Sequence, residues 1–515
     1  MRSLTPETRL AFGGILAVLA LASTNMTVVG TALPRIIAEL DGFDLYAWAF
    51  TAFTLTSTVS LPVYGRLGDR FGRKGVLLYG IVLFTLASVA AGFSQTMPQL
   101  VAMRALQGLG GGALMSMTWA VLGDLFSPRE RGRYQGLTSG VFGVSSVVGP
   151  LLGGIITDTL GWRWVFFVVV PVALVSFVLV QRYVPRGATS RAGSIDVAGA
   201  LVLIATATPL LVALSLGGVR FAWTSPQVLT LIGLSAVLLV VLLRIERHAS
   251  NPVVPLDLYR DEVVGLTSVG SALVGVGLFA AIFYLPLYVQ GVLGGTASAS
   301  GLVLSPLMLG FVATTTLSGW YASRTGRYWW WLNAGALVAA LGFGAAALAF
   351  GTATPTPVVV TVSVVIGLGL GPLMSLLVVV AQAAVPSAQL GTVTSANQFS
   401  RQMGGTLGVA AFGAVIAAGL QRGLGDLPGV ASLGAEAQAL VTSPNTLTDP
   451  ARLERAQALV TLELGPEAVG AVLGAMRSAL ADGLGWTFAA SALLALAALA
   501  VTTRLPRTTL PEKQR

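Results

Sequence analysis

Apolar residues run through this chain in long unbroken stretches instead of alternating with polar ones. Fourteen such stretches stand out, at 11–34, 46–66, 75–96, 98–123, 136–157, 164–183, 197–217, 227–244, 263–288, 299–320, 330–350, 356–382, 397–419 and 485–503. A helix needs about 20 residues to cross a hydrocarbon core of about 30 Å, and these runs meet that length. Gly, Pro, Asp and Arg gather at their ends, and most connections are short, as in helical bundles. The pattern predicts an all-α integral membrane protein with fourteen transmembrane helices. One connection differs. Residues 420–484 form a long outer segment in which Pro450 to Ala481 reads as one or two amphipathic helices. The simplest reading is a cap on the outer surface; a part in substrate entry or partner docking is the alternative.

Composition agrees with this pattern. The chain is 55% hydrophobic and only 10% charged, against about 25% charged in soluble domains. Soluble folding is excluded. A net charge of +9 would suit nucleic acid, but its distribution argues otherwise. With a cytoplasmic N-terminus and fourteen crossings, 22 of the 30 Lys and Arg fall on the cytoplasmic side, 7 fall outside, and Arg104 lies within a span. That is the positive-inside bias of an inserted bundle. It places the protein in the cytoplasmic (inner) membrane, among lipids, with both termini cytoplasmic and no nucleic-acid partner. The N-terminus resembles a signal peptide, with Arg2 and Arg9 before an apolar run. That run continues to Pro34, too long for a signal segment, so it reads as a retained first span. Cysteine is absent, which excludes disulfides and thiolate metal sites. The single histidine, His248, reads as a solvated loop residue. No metal and no cofactor are expected.

The chain also repeats. Gly65, Arg70, Gly72 and Arg73 follow the second stretch, and Gly319, Arg324, Gly326 and Arg327 follow the tenth at the same spacing, 254 residues on. Two six-helix halves fit this offset if the seventh and eighth stretches are an inserted pair. The expected organisation is an N-terminal bundle over 1–186, an inserted pair over 187–255, and a C-terminal bundle over 256–515 that carries the outer segment. Parallel halves of this kind bind substrate near the midplane between them.

Several motifs narrow the reading. Gly65-Arg66-Leu67-Gly68-Asp69-Arg70-Phe71-Gly72-Arg73-Lys74 resembles the loop signature of the major facilitator superfamily. Arg104-x-x-Gln107-Gly108-x-Gly110-Gly111 is similar to its fourth-span motif. Gly143 through Gly149-Pro150-Leu151-Leu152-Gly153-Gly154 resembles the fifth-span motif of its exporters. Trp162 to Phe166 and Phe399 to Gly405 resemble segments of the fourteen-span drug:proton antiporter branch. The resemblance runs from the first span to the last and is weakest over 420–484. It implies two six-helix bundles around a central cavity, the inserted pair outside them, and proton-coupled multidrug efflux by a monomer, with antibiotic resistance as the outcome.

The residues carry physical readings of their own. Asp69, Arg70 and Arg73 can cross-link helix ends, with Asp124 a partner for Arg70 or Arg73. With Gly65, Gly72, Gly149, Pro150 and Arg401 they are the candidate conformational switch, against the plainer reading of a static charge girdle. Gly149-Pro150 predicts a kink and a tight packing face. Arg104 lies about seven residues, or ~10 Å, below the outer surface, where a buried arginine needs a partner or a wet cavity. Asn25 lies about 14 residues into the first span, ~20 Å up from the cytoplasm, at a similar depth. The fourteen-span antiporters typically show an aspartate where Asn25 stands, and asparagine cannot carry a proton. Two readings stand for this departure. One is a natural variant that is uncoupled or uses Asp41, Asp44 or Asp158 nearer the surface. The other, favoured by the fit of the surrounding motif, is an engineered replacement of the proton-binding carboxylate.

Thr51, Phe53, Thr54, Gln107, Tyr284, Tyr288, Gln290, Gln382, Asn397 and Gln398 are expected to line a cavity of mixed polar and aromatic character. Such a lining suits a lipophilic or amphipathic small molecule. A primary pump is excluded within this chain, because neither Lys74 nor Lys513 sits in a Gly-Lys-Ser/Thr phosphate loop. An enzyme would need a reactive constellation at depth, and none is present. The alternatives within transport are a dedicated exporter of one lipid or antibiotic and an uncoupled facilitator.

Overall fold

The computed structural model describes residues 5–40, 46–126, 128–186, 197–217, 221, 223–248, 256–295, 297–386, 389–425, 430–447 and 450–507. Within them it is helical almost throughout. The first helices are α1 (Pro6–Leu40), α2 (Tyr46–Phe71), α3 (Arg73–Gly92), α4 (Met97–Leu125) and α5 (Pro128–Thr159). A turn at Val168 separates α6 (Trp164–Phe167) from α7 (Val169–Tyr183). Then follow α8 (Val197–Leu216), α9 (Pro226–His248), α10 (Glu262–Leu287) and α11 (Ala297–Thr325). The rest are α12 (Trp329–Ala349), α13 (Thr356–Ala383), α14 (Leu390–Gly425), α15 (Ala435–Val441), α16 (Pro450–Leu464) and α17 (Pro466–Thr503). Nine helices among the described residues are long and apolar enough to cross a membrane. Helices dominate because apolar surroundings leave backbone N–H and C=O groups no partners but their own.

Buried side chains fall into separate cores. The largest is built from α10 to α17, and two others come from α1 to α7. α8 packs its Ala207 against Val59 of α2, with Leu55 and Met403 of α14 on the same patch. α9 is fixed to α8 by Ser235 Oγ donating to the Thr206 carbonyl at 2.7 Å.

The repeat survives in the backbone. Gly72 and Gly326 both adopt the left-handed region, at φ 91° and 71°, where a Cβ would be strained. A second repeat emerges from packing. Gly108 and Gly112 of α4 meet the α2 backbone, and Gly110 meets Phe84 of α3. Gly367 and Gly371 of α13 meet the α11 backbone in the same way, and Gly369 meets Ala339 of α12. A Gly-Leu-Gly-x-Gly segment thus seats one helix between two neighbours in each half.

Several boundaries differ from the hydropathy pattern, α5 among them, which begins at 128 and not 136; two others change the reading. α14 begins at 390, not 397, so Arg401 lies eleven residues inside a helix and not among the charges at its start. α17 begins at 466, not 485, and is one 38-residue helix. Its first turns bury Val472, Met476 and Leu480 with Val460 of α16 and Ala437 and Val441 of α15. The described part of 420–484 is therefore helical and packed together, and it is continuous with the last apolar stretch. His248 ends α9, exposed, its ring nitrogen 2.8 Å from the Arg244 carbonyl.

Candidate functional site

The end of α2, the start of α3, the end of α4 and the start of α14 converge on one carboxylate. Asp69 is 3% exposed. Its Oδ1 accepts from the Gly391 amide at 2.9 Å, and its Oδ2 accepts from the Thr392 amide at 2.7 Å and the Thr392 hydroxyl at 2.6 Å. A carboxylate suits this place, because the first N–H groups of a helix have no internal partners and carry partial positive charge. Gly391 is required: a Cβ there would run into the Asp69 carboxylate. Arg73, 1% exposed, donates to Asp69 Oδ1 from Nη2 at 2.9 Å and to Asp124 from Nη1. Arg70 takes no part in these ion pairs; its guanidinium lies 5.3 Å from the Phe71 ring centre. Beside this cluster Gly65 abuts Ser395, Ser116 shares a hydrogen bond with Ser395, and Gln382 donates to the Trp119 carbonyl and to Thr394. Helices from the first part of the chain are thereby joined to helices from the last part at one end.

The corresponding place in the repeat is not a copy. Arg73 matches Arg327, but Asp69 matches Ser323, whose hydroxyl donates to the Trp320 carbonyl of its own helix. Only one half holds the acidic latch.

The second cluster lies deeper. Arg104 is fully buried; its Nη1 donates to Asn25 Oδ1 at 2.9 Å and to Gln107 Oε1 at 2.6 Å. Its guanidinium carbon stands 4.4 Å from the Phe53 ring centre, a cation–π contact. Thr56 ties α2 to α4 at this level by donating to the Ala105 carbonyl at 2.7 Å. Asn25 and Gln107 are fully buried too, and their amide nitrogens have no hydrogen-bond partner among the described residues. Each such donor costs about 1–3 kcal/mol if left unsatisfied. The expected meeting of Asn25 and Arg104 across α1 and α4 is therefore present in the geometry. Gln107 joins it because i and i+3 share a helix face.

Other candidates are placed as follows. Arg401 contacts Gln398 on its own helix, and the Gln398 amide nitrogen is buried without a partner among the described residues. Asn397 accepts from Ser271 at 2.8 Å and donates to the Thr267 carbonyl, tying α14 to α10. Tyr284 donates to the Val409 carbonyl, while Tyr288 donates to the Gly351 carbonyl at 2.7 Å and stacks on Phe350 at 4.6 Å. Both belong to the largest core, where their aromatic bulk fills space and each hydroxyl finds a carbonyl. Gln290 bonds Ser300 between the end of α10 and the start of α11. Thr54 is half-buried on α2. Gly149 is buried within α5, and Pro150 lies in that helix, its side chain outside those described. The side chains of Thr51, Asp41, Asp44 and Asp158 also lie outside the described residues. A groove of about 440 Å³ opens between α2 and α3, lined by Ser60, Tyr64, Phe71 and Tyr79, and holds none of the predicted cavity residues.

A charged latch between the two parts of a repeated helical chain, and a buried arginine on the fourth helix, are what the motifs led one to expect. Residues 15–409 match the family model of the Major Facilitator Superfamily. The chain belongs to that superfamily. It is 32% identical over 467 residues to the multidrug transporter protein MdtP of Bacillus subtilis, covering 90% of this chain and 85% of that protein. It is 31% identical to multidrug resistance protein 3 of the same organism, over 79% of this chain and 80% of that one. The human organic anion transporter MFSD10 superposes with a TM-score of 0.63 at 14% identity, covering 97% of this chain and all of that one; this likeness shows the fold alone. The protein is a membrane transporter of the major facilitator fold, and not an enzyme.

Proposed function

We propose that this chain is a secondary exporter of lipophilic or amphipathic small molecules that works by alternating access. Two six-helix bundles, over 1–186 and 256–515, rock about a central cavity, and α8 and α9 form an inserted pair within 187–255. In this reading the helices make fourteen crossings of the cytoplasmic membrane, both termini are cytoplasmic, and the unit is a monomer among lipids. The multidrug names of the two Bacillus relatives support the cargo class and a part in antibiotic resistance. The observation that carries the mechanism is the capture of the α14 N-terminus by Asp69 of α2. It closes the cytoplasmic end, and opening that end means breaking a buried network, which makes a two-state switch.

The absence of cysteine allows a clean test. A Ser116→Cys, Ser395→Cys double variant should form one disulfide across the bundles when oxidised. Transport in proteoliposomes is expected to stop on oxidation and return on reduction. Undiminished transport by the cross-linked protein would overturn alternating access at this interface.

One observation favours a second reading of the energetics. Asn25 faces Arg104 and cannot titrate, which favours, as the alternative to coupled export, an uncoupled facilitator. Proton antiport belongs to a form with Asp at position 25, whose carboxylate would pair with Arg104. Drug-driven proton movement should appear only in Asn25→Asp; robust coupling in the given chain would move the proton to another group.

A further inference from the structure

The repeated loop motif serves as a latch in one half only, and its second copy keeps the arginines without the acids. Arg70 and Arg73 correspond to Arg324 and Arg327, whereas Asp69 corresponds to Ser323. α13, the counterpart of α4, carries no carboxylate to stand for Asp124. Arg73 is buried between its two acids; Arg324 and Arg327 are exposed and form no ion pair among the described residues. The end of α17 adds a third basic group. Tyr328 donates to the Pro506 carbonyl at 2.5 Å, which sets Arg507 beside Arg327, and the Arg507 guanidinium stands 4.2 Å from the Trp329 ring centre. No Asp or Glu occurs between Glu262 and Asp426 or between Asp482 and Glu512, so this edge is basic throughout.

Aromatic rings occupy the same edge. Trp320 lies 4.1 Å from the Arg324 guanidinium, and Trp329 and Trp330 meet edge to face at 5.3 Å. A cation–π contact consumes no N–H donor, so these guanidinium groups retain donors for an acid. Trp330, 71% exposed, heads an apolar stripe of α12 that continues through the exposed Leu337, Leu341 and Leu348. The stripe is about 27 Å long, close to the depth of a hydrocarbon core. Its tryptophan end therefore falls at the level of the headgroups, where such rings belong.

We propose that this edge binds an anionic phospholipid: Arg327 and Arg507 hold its phosphate, Arg324 adds to the attraction, and an acyl chain lies along the α12 stripe. Guanidinium groups suit phosphate oxygens in charge and in geometry. A zwitterionic headgroup would bring an ammonium for which this edge has no carboxylate. A soluble acidic partner would use the arginines and leave the stripe uncovered. The site follows from the chain's place in a membrane; only its assignment to the cytoplasmic leaflet rests on the topology proposed above.

Tryptophan quenching reads the site without transport. The full chain is reconstituted in phosphatidylcholine bilayers in which a minor share of the lipid carries brominated acyl chains, which quench tryptophan on contact. Brominated phosphatidylglycerol is expected to bind at least about tenfold tighter than brominated phosphatidylcholine. Arg327→Gln with Arg507→Gln should bring that ratio down to about twofold or less. The single Arg507→Gln variant, which disturbs the fold least, should lower it about twofold to fivefold. An equal loss of charge elsewhere, Arg182→Gln with Arg186→Gln, should leave the ratio unchanged. Equal quenching by the two lipids, or a preference that survives the double variant at Arg327 and Arg507, would overturn the proposal. So would an equal loss in the Arg182 and Arg186 control, since the attraction would then belong to net charge and not to this edge. Abolition of the preference by inorganic phosphate at constant ionic strength would assign the arginines to a soluble anion, and the lipid site would fall.

Discussion

Arg73 and Arg104 are both fully buried, yet they sit in opposite kinds of surroundings. Arg73 is matched by two carboxylates, Asp69 and Asp124, and one of these also holds the start of α14. Arg104 is met by two neutral amides and an aromatic face. The first arrangement is balanced in charge and spans two distant parts of the chain, so it holds or breaks as a unit. The second joins helices of the early part of the chain, α1, α2 and α4. The contrast shows that one residue type can be buried either among carboxylates that join distant helices or among neutral amides within neighbouring ones.

The largest expected effect comes from breaking the balanced arrangement. Asp69→Ala removes a buried ion-pair partner and the cap of α14, at a cost of about 3–5 kcal/mol. Spin labels at the ends of α2 and α14 should then lose their short-distance population. Arg73→Met should lower the unfolding midpoint by a comparable amount, while Arg104→Met should cost less than about 2 kcal/mol, because no buried carboxylate is stranded. Equal losses for the two arginines would contradict the contrast. Gly391→Ala presses a methyl group against the Asp69 carboxylate and should weaken the clasp by about 1–3 kcal/mol, visible as a partial gain of the longer label distance. Smallest is Glu39→Gln at the half-exposed Arg163 pair, worth about 0–1 kcal/mol and expected to leave both midpoint and transport unchanged.

The apolar stretches were legible in the sequence because a helix in lipid must be apolar for about 20 residues and its neighbours in the chain must not be. The meeting of Asn25 with Arg104 followed from counting residues inward from opposite surfaces. The partner of Asp69 did not, because Gly391 and Thr392 lie more than 300 residues away and act through backbone N–H groups that no side-chain pattern marks. The same contact explains the misplaced start of α14. Its first turns, Leu390 to Ala396, are small and polar; they are steadied by a carboxylate and not by lipid, so hydropathy passes over them. Tyr284 and Tyr288 read as cavity residues because an aromatic hydroxyl suits a ligand as well as a carbonyl. The paired Gly-Leu-Gly-x-Gly segments were visible in the sequence, but among 62 glycines only packing separates them from the rest.

The last helix has a consequence for observing the molecule at work. α17 is an unbroken rod of about 57 Å. At one end it is built into the cap, and at the other Thr502 bonds Asn333 of α12 at 3.0 Å. A pivot of about 10° by the helices it belongs to would sweep its far tip through about 10 Å. Leu462, 81% exposed on the neighbouring α16, is a natural point for a dye. In the proposed topology and transport cycle, such a dye would act as a pointer on a dial, reporting each turnover from outside an intact cell.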